Sequence, residues 1–358
     1  MPLKCGIIGL SGSGKTTLFN SISNHRAETG SVMKANMGTM VVPDQRLYEI
    51  NKLVDATKVI PATVEMVDIP GLARGGTGMG TQFLSDIRNV DALIHVVRCY
   101  DDPLNPHIEG SVNPARDRQT VDLELQIRDL ESVEKKMIRL EKVVRSGDKE
   151  AKRGIEVLKT IQDHLESFQP VRTATVSKED RRFFDDLFLL SDKPVMYVCN
   201  VDDASAVNGN PHSKRFGDSF QEEQPEILTL AARLESEIAE LDVETDQRAF
   251  LADAGLDEPG INRLVRSAYH LLYLQTFFTM GPKEVRAWAL TRGMTALQAA
   301  GVIHSDMERG FIRSEVIKYE DFIKFGSEHA CREAGKLMVE GKNYIVQDGD
   351  MLHIRFNV

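Results

Sequence analysis

Apolar positions near the start of the chain come in short runs of strand length. Leu3-Lys4-Cys5-Gly6-Ile7-Ile8-Gly9 leads into a Gly/Ser-rich turn and then into Thr16-Thr17-Leu18-Phe19-Asn20-Ser21-Ile22, which reads as the start of an amphipathic helix. Further runs are Val64-Glu65-Met66-Val67, Ala92-Leu93-Ile94-His95-Val96-Val97, Pro194-Val195-Met196-Tyr197-Val198-Cys199 and Ile227-Leu228-Thr229-Leu230. Helical stretches separate several of them, so the pattern predicts βαβ units and a mostly parallel, buried sheet in an α/β protein. Between the third and fourth runs the period changes. Leu123, Ile127, Leu130, Val133, Met137, Leu140 and Val144 recur at helical spacing, and after the polar break at 145–150 so do Ile155, Leu158, Ile161, Leu165 and Phe168. Two such stripes predict an antiparallel helical hairpin inserted into the sheet domain at about 119–190. From Thr279 onward, 283–290, 310–317 and 351–356 approach strict alternation, and Gln347-Asp348-Gly349-Asp350 is a turn signal. This part predicts a small α+β domain.

Composition sets outer limits. Of 358 residues, 42% are hydrophobic and 27% charged, the proportions of a globular protein, and the length suggests more than one domain. No apolar run reaches the ~18–20 residues of a membrane span. The first residues lack the basic and apolar regions of a secretory leader, so a cytoplasmic protein is expected. Cys5, Cys99, Cys199 and Cys331 are dispersed, with no CxxC pair to suggest a disulfide scaffold or a zinc knuckle. The net charge of −10 argues against a chain that coats nucleic acid, and nothing suggests sequence-specific DNA recognition. That surplus is local, because residues 279–358 carry eleven basic and eleven acidic side chains.

The chemistry gathers at the first turn. Gly9-Leu10-Ser11-Gly12-Ser13-Gly14-Lys15-Thr16 satisfies GxxxxGK[ST] between a predicted strand and a predicted helix. Its backbone N–H groups at Gly12, Ser13, Gly14 and onward to Thr17 would face phosphate, Lys15 would reach the β/γ oxygens, and the Thr16 hydroxyl could ligate Mg²⁺. Asp68-Ile69-Pro70-Gly71 ends a strand, where parallel sheets place ligands. The Asp68 carboxylate there could hold the Mg²⁺ shell, and the Gly71 N–H could sense a γ-phosphate. Asn200-Val201-Asp202-Asp203 ends a later strand, in the place where GTP-binding switches carry Asn-Lys-x-Asp for the base. Three elements in this order favour a switch-type NTPase over a phosphotransferring kinase. Ala231 and Ala232 would add backbone contacts near the base. His95 reads as a satisfied core histidine, His304 as a structural element of the tail and Trp288 as its core anchor. Lys135, Lys136 and Arg139 read as a solvated helix face, with RNA contact as the other reading.

The sequence resembles the YchF/Obg-like ATPase family of translation-factor-related P-loop proteins, essentially end to end. The resemblance rests on Asp68-Ile69-Pro70-Gly71-Leu72, Gln82-Phe83-Leu84, His95-Val96-Val97-Arg98-Cys99, Phe278-Thr279, Arg286-Ala287-Trp288, Ala299-Ala300-Gly301-Val302-Ile303-His304 and Asp348-Gly349-Asp350. It implies a P-loop nucleotide-binding domain over 1–278, carrying the hairpin, and a TGS-like β-grasp domain over 279–358. It also implies association with the ribosome, at its large subunit, and a general preference for ATP over GTP. Leu72 stands where Ras-like switches have a water-orienting glutamine, so slow or partner-dependent hydrolysis is expected.

The chain departs from that pattern at several points. Gly12 replaces the asparagine that in related switches helps place a potassium ion, which puts potassium stimulation in question. The switch threonine falls on Val32, which has no oxygen to offer, with Ser31 adjacent. The loop 73–80 is about three residues shorter than usual. Val201 replaces the lysine of guanine-specific proteins, whereas Asp203 keeps a carboxylate that could turn towards guanine. The expectation is therefore an ATP–Mg²⁺ switch with low turnover. The alternatives are a nucleotide-responsive binding module with negligible turnover and a GTP-specific switch.

Overall fold

The structure is a computed structural model that describes residues 3–22, 36–71, 81–145, 147–220, 223–241 and 243–357. In chain order its elements begin with β1 (Lys4–Ile8), α1 (Lys15–Ile22), β2 (Asn36–Val41), α2 (Gln45–Val54), β3 (Lys58–Ile60) and β4 (Thr63–Asp68). There follow α3 (Thr81–Arg88), β5 (Ala92–Arg98), α4 (Pro114–Val144), α5 (Lys149–Glu166), β6 (Val195–Asn200), α6 (Pro211–Asp218), β7 (Ile227–Leu230), α7 (Ala232–Ala239), α8 (Glu244–Asp253) and α9 (Gly260–Leu271). The chain closes with β8 (Leu274–Met280), β9 (Glu284–Thr291), α10 (Ala296–Ile303), α11 (Ser305–Arg309), β10 (Phe311–Lys318), α12 (Tyr319–Phe325), α13 (Glu328–Glu333), β11 (Met338–Glu340) and β12 (Asp350–Phe356). Two compact units result, the first built mainly from 3–38 and 66–261, the second from 39–65 and 262–358.

The first sheet has the strand order β2-β4-β1-β5-β6-β7, and β1, β5, β6 and β7 pair in parallel. β5 and β6 are buried along their whole length, as expected of strands covered on both faces. Their continuous apolar runs are what made them legible. The turns after β1, β6 and β7 therefore meet at the carboxyl edge of one sheet, where open α/β folds bind ligands, and β4 lies next to β1.

The hairpin is present, with a correction to its stripe. Helix α4 runs 31 residues, about 46 Å at 1.5 Å per residue. It starts at Asn113, whose side chain accepts the Arg116 N–H, with Pro114 in the first turn. Its distal half behaves as the spacing predicts: Leu130, Val133, Met137 and Leu140 pack with Leu158, Ile161 and Leu165 of α5. In its proximal half, Leu123 and Ile127 are exposed, and Val121, Leu125, Gln126 and Asp129 are buried in their place. That half packs on the sheet domain, where Val121 and Leu125 join its core, so a different face turns inward. Phe168, expected on the α5 stripe, lies beyond the helix end and is exposed.

Asp129 ties the end of the insertion back to α4. Its carboxylate accepts the Leu190 N–H (2.7 Å), the Ser191 N–H (2.7 Å) and the Ser191 hydroxyl (2.6 Å). Burial pushes its pKa up to about 6, while Ser191 and Leu190 pull it back. Asp129→Asn keeps the size but turns an amide donor towards a backbone N–H. Chemical denaturation should show a loss of about 2–4 kcal/mol. A loss below ~0.5 kcal/mol, the range of ordinary surface changes, would refute this anchoring role.

The second unit has the strand order β11-β10-β12-β8-β9-β3. The C-terminal strand β12 lies between antiparallel β10 and parallel β8, a β-grasp arrangement. Helix α10 begins with a capping box formed by Thr295 and Gln298. Its buried Ala296, Ala299 and Ala300 pack on Phe277, Leu290, Val316 and Leu352. Trp288 is partly buried against this core and donates its Nε1–H to Thr279 (2.9 Å). His304 caps α11 by accepting the Asp306 N–H. The short strand β3 pairs in parallel with the start of β9, which brings 39–65 into this unit.

Candidate functional site

The turn between β1 and α1 is shaped by what surrounds it. A side chain at Gly14 would place its Cβ 2.1 Å from Asn200 Nδ2, and the residue has φ +93°, so only glycine fits. A Cβ on Gly71 would lie 2.5 Å from Lys15 Nζ and 3.0 Å from the Ser11 N. The glycine after β4 thus stands directly against the lysine. Lys15 is buried and donates to the Leu10 carbonyl at 2.8 Å. Burial lowers its pKa to about 8, and Asp68 pulls in the opposite direction.

Thr16 donates its hydroxyl hydrogen to Asp68 Oδ2 at 3.0 Å. Burial raises the Asp68 pKa, against the pull of Thr16, Lys15 and Asn36. Asp68 Oδ1 and Ser13 Oγ are both buried without a hydrogen-bond partner. Buried polar atoms are nearly always satisfied, so two orphans beside a glycine-lined turn point to a polar ligand. A Mg²⁺ ion fits this donor set of hard oxygens from Thr16 and Asp68, and a phosphate fits the Lys15 ammonium and the turn N–H groups.

The base-side residues divide. Asn200 is buried; its Nδ2 donates to the Ser13 carbonyl (2.9 Å) and its Oδ1 accepts the Ala232 N–H (2.9 Å). It straps the phosphate turn to the start of α7, and its amide carbonyl is already committed. Ala231 and Ala232 are buried beside it. Val201 is enclosed in the sheet–helix core, so its side chain cannot take the place of a lysine stem on a base. Asp203 is partly exposed and lies 3.5 Å from Arg233 Nε. Burial raises its pKa, with Arg233 opposing. Gly12 is exposed with open space around it, and Thr17 is exposed in the first turn of α1. Ser31, Val32, Leu72 and the loop 73–80 lie outside the described residues.

Two features escaped the sequence reading. Arg233 was visible next to Ala232, but its pairing with Asp203 depends on β6 and β7 being neighbours. His95 is buried as expected yet not satisfied, since its Nδ1 has no partner. Burial, with Arg118, Lys15 and Arg172 nearby, lowers its pKa to about 3, so it is neutral at pH 7. Among the described residues, Glu315, Glu328 and His353 of the second unit also approach one another. Glu315 there is already paired with Arg355, Arg332 and Arg313, so the cluster reads as an ion-pair network.

Two family models match the chain. The MMR_HSR1 model, described as a 50S ribosome-binding GTPase, covers residues 4–144. The YchF-GTPase_C model, described as a protein of unknown function, covers 274–357. The "Ribosome-binding ATPase YchF" of Haemophilus ducreyi is 44% identical over 365 residues, with all of both chains aligned. The chain belongs to the YchF family. The YchF protein of Bacillus subtilis is 42% identical over 367 residues, again across all of both chains. The solved YchF GTPase of Schizosaccharomyces pombe superposes with a TM-score of 0.88 at 30% identity, covering 99% of this chain and 98% of that one. The family's fold, a P-loop GTPase domain plus a C-terminal domain, is therefore also the fold of this chain. No helix among the described residues is long and apolar enough to cross a membrane.

Proposed function

We propose that this YchF-family chain is a P-loop nucleoside triphosphatase. It binds ATP with Mg²⁺, hydrolyses it slowly and acts as a nucleotide-dependent switch on the large ribosomal subunit in the cytoplasm. The observation that carries the reading is the convergence of Lys15, Thr16, Asp68 and Gly71, with Asp68 Oδ1 and Ser13 Oγ unsatisfied among them. Lys15 and the turn N–H groups of Gly12, Ser13, Gly14 and Lys15 hold the phosphates, while Thr16 and Asp68 hold the ion. When bound, Mg²⁺ offsets the charge on the β and γ oxygens. The Gly71 N–H reports the γ-phosphate. Leu72 offers no group to orient water, which supports a low intrinsic rate. Val201 lies in the core and Asp203 beside Arg233, so neither is poised to select guanine, which supports adenine. The ribosome enters from the names of the relatives and from the 50S-binding description of the matched model.

The competing reading, a nucleotide-responsive binder with negligible turnover, draws on Leu72 and Val32. A phosphate-release assay with ATP or GTP, with and without ribosomes, separates the two. We expect slow ATP turnover that disappears in Lys15→Ala. No turnover under any condition would leave the binder, and faster turnover of GTP would overturn the adenine assignment.

A further inference from the structure

A cavity of about 520 Å³ lies on the flank of the α4–α5 insertion, within the first unit. It is lined by Arg88, Lys135, Lys136, Arg139, Asp186 and Phe188, among others. That volume is in the ~300–1,000 Å³ range of small-molecule sites. Four cations and one carboxylate face it, in a chain whose net charge is −10. Lys136 pairs with Asp186. Arg88, Lys135 and Arg139 form no side-chain ion pair among the described residues, so the cavity carries more positive than negative charge.

Phe188 gives this basic cavity an aromatic wall. It follows a short 3₁₀ turn at Asp185–Leu187 and adopts φ +47°, ψ +53°, a left-handed conformation normally left to glycine or asparagine. Phe188 is 65% exposed, so burial does not offset the strain. A strained, solvent-facing aromatic is a poor choice for stability alone. Phe168 and Tyr273 are exposed in the same backbone region, and what distinguishes Phe188 is that it lines one cavity with Arg88, Lys135, Lys136 and Arg139.

We propose that this cavity binds unpaired RNA, with Phe188 stacking on a base and Arg88, Lys135 and Arg139 holding the flanking phosphates. Aromatic stacking beside backbone cations is the chemistry by which proteins take single-stranded nucleic acid. An acidic peptide would satisfy the cations but has no use for an exposed strained ring. The ribosomal reading determines only which RNA is met in the cell, so a bare oligonucleotide tests this site separately.

Fluorescence anisotropy with the full-length protein and labelled octauridylate provides the test. Phe188→Asn, which suits the left-handed backbone, should weaken binding about tenfold without changing its salt dependence or lowering Tm. Lys135→Gln combined with Arg139→Gln should flatten the slope of log K against log salt by about 1.4, at ~0.7 per phosphate contact on a single strand. Lys15→Ala should bind the oligonucleotide like the parent. The site is not an RNA site if Phe188→Asn binds as tightly as the parent. The same holds if polyglutamate displaces the RNA from parent and Phe188 variant alike. Loss of RNA binding in Lys15→Ala would assign the RNA to the nucleotide turn and overturn the proposal, whatever the outcome of the ATPase assay.

Discussion

Replacing Lys15 by methionine should yield a protein that no longer holds a nucleoside triphosphate yet melts at a higher temperature than the parent. The lysine is buried, and burial brings its pKa from 10.5 to about 8. Between those values the unfolded chain carries a proton that the folded chain lacks, so stability rises as pH increases through that window. Below pH 8 the folded protein bears a buried ammonium that costs about 3 kcal/mol. Methionine matches the stem without the charge and should recover ~1–3 kcal/mol, or several degrees in Tm. The Leu10 carbonyl it leaves behind still accepts the Ser13 N–H at 3.3 Å. Nucleotide affinity should fall about 100-fold or more, because each lost charge-assisted hydrogen bond is worth ~1.5–3 kcal/mol. Calorimetry and a thermal melt of the nucleotide-free protein measure both halves. A variant that melts below the parent would mean that the lysine stabilises the empty turn.

The same shift links binding to protons. A phosphate against Lys15 favours the ammonium, so binding above pH 8 takes up a proton and affinity declines as pH rises. On the proposed reading, an anionic ligand relieves the desolvation of the buried Lys15 ammonium.

Much of this site was legible because its signals are local. Gly9 to Thr16 lie in one turn, Asp68 and Gly71 end one strand, and Asn200 ends another, so placing them required only that the strands be parallel and adjacent. Apolar runs bounded by turn residues marked β1, β4, β5, β6 and β7 for the same reason. What was illegible depended on distant partners. Nothing in Lys58–Ile60 announces a pairing with Glu284–Arg286, so nothing local marks 39–65 as belonging with the C-terminal unit. The α4 stripe was misread at Leu123 and Ile127 because one helix packs on two different surfaces, and periodicity cannot say where the surface changes. Val201 has the right spacing for a base contact, but its side chain points into the core. The orphans Asp68 Oδ1 and Ser13 Oγ have no sequence signature at all, since being unsatisfied is a property of the surroundings.

The hydrogen bonds of Asn200 lead us to expect a positioning role, and Asn200→Asp should show this through pH. In the parent, Nδ2 donates to the buried Ser13 carbonyl at 2.9 Å while Oδ1 accepts the Ala232 N–H. An aspartate keeps the acceptor but turns a second oxygen towards a carbonyl oxygen. Ionised, it should cost about 3–5 kcal/mol, the usual range for an uncompensated buried charge. Burial beside a carbonyl raises the pKa of such a carboxyl, and the protonated form can donate to Ser13 as the amide did. A raised folded-state pKa means that the stability is present at low pH and lost as pH climbs through it. The variant should therefore recover near pH 4–5 relative to the parent, whereas Asn200→Ala, with no proton to regain, should not. Nucleotide affinity tells the roles apart. A residue that reads the base would change the ratio of ATP to GTP affinity, but a strap that holds the phosphate turn against α7 would weaken both equally. Equal loss, with acid rescue in the aspartate variant alone, is the expected result. A changed ATP/GTP ratio, or no rescue in acid, would return Asn200 to the base.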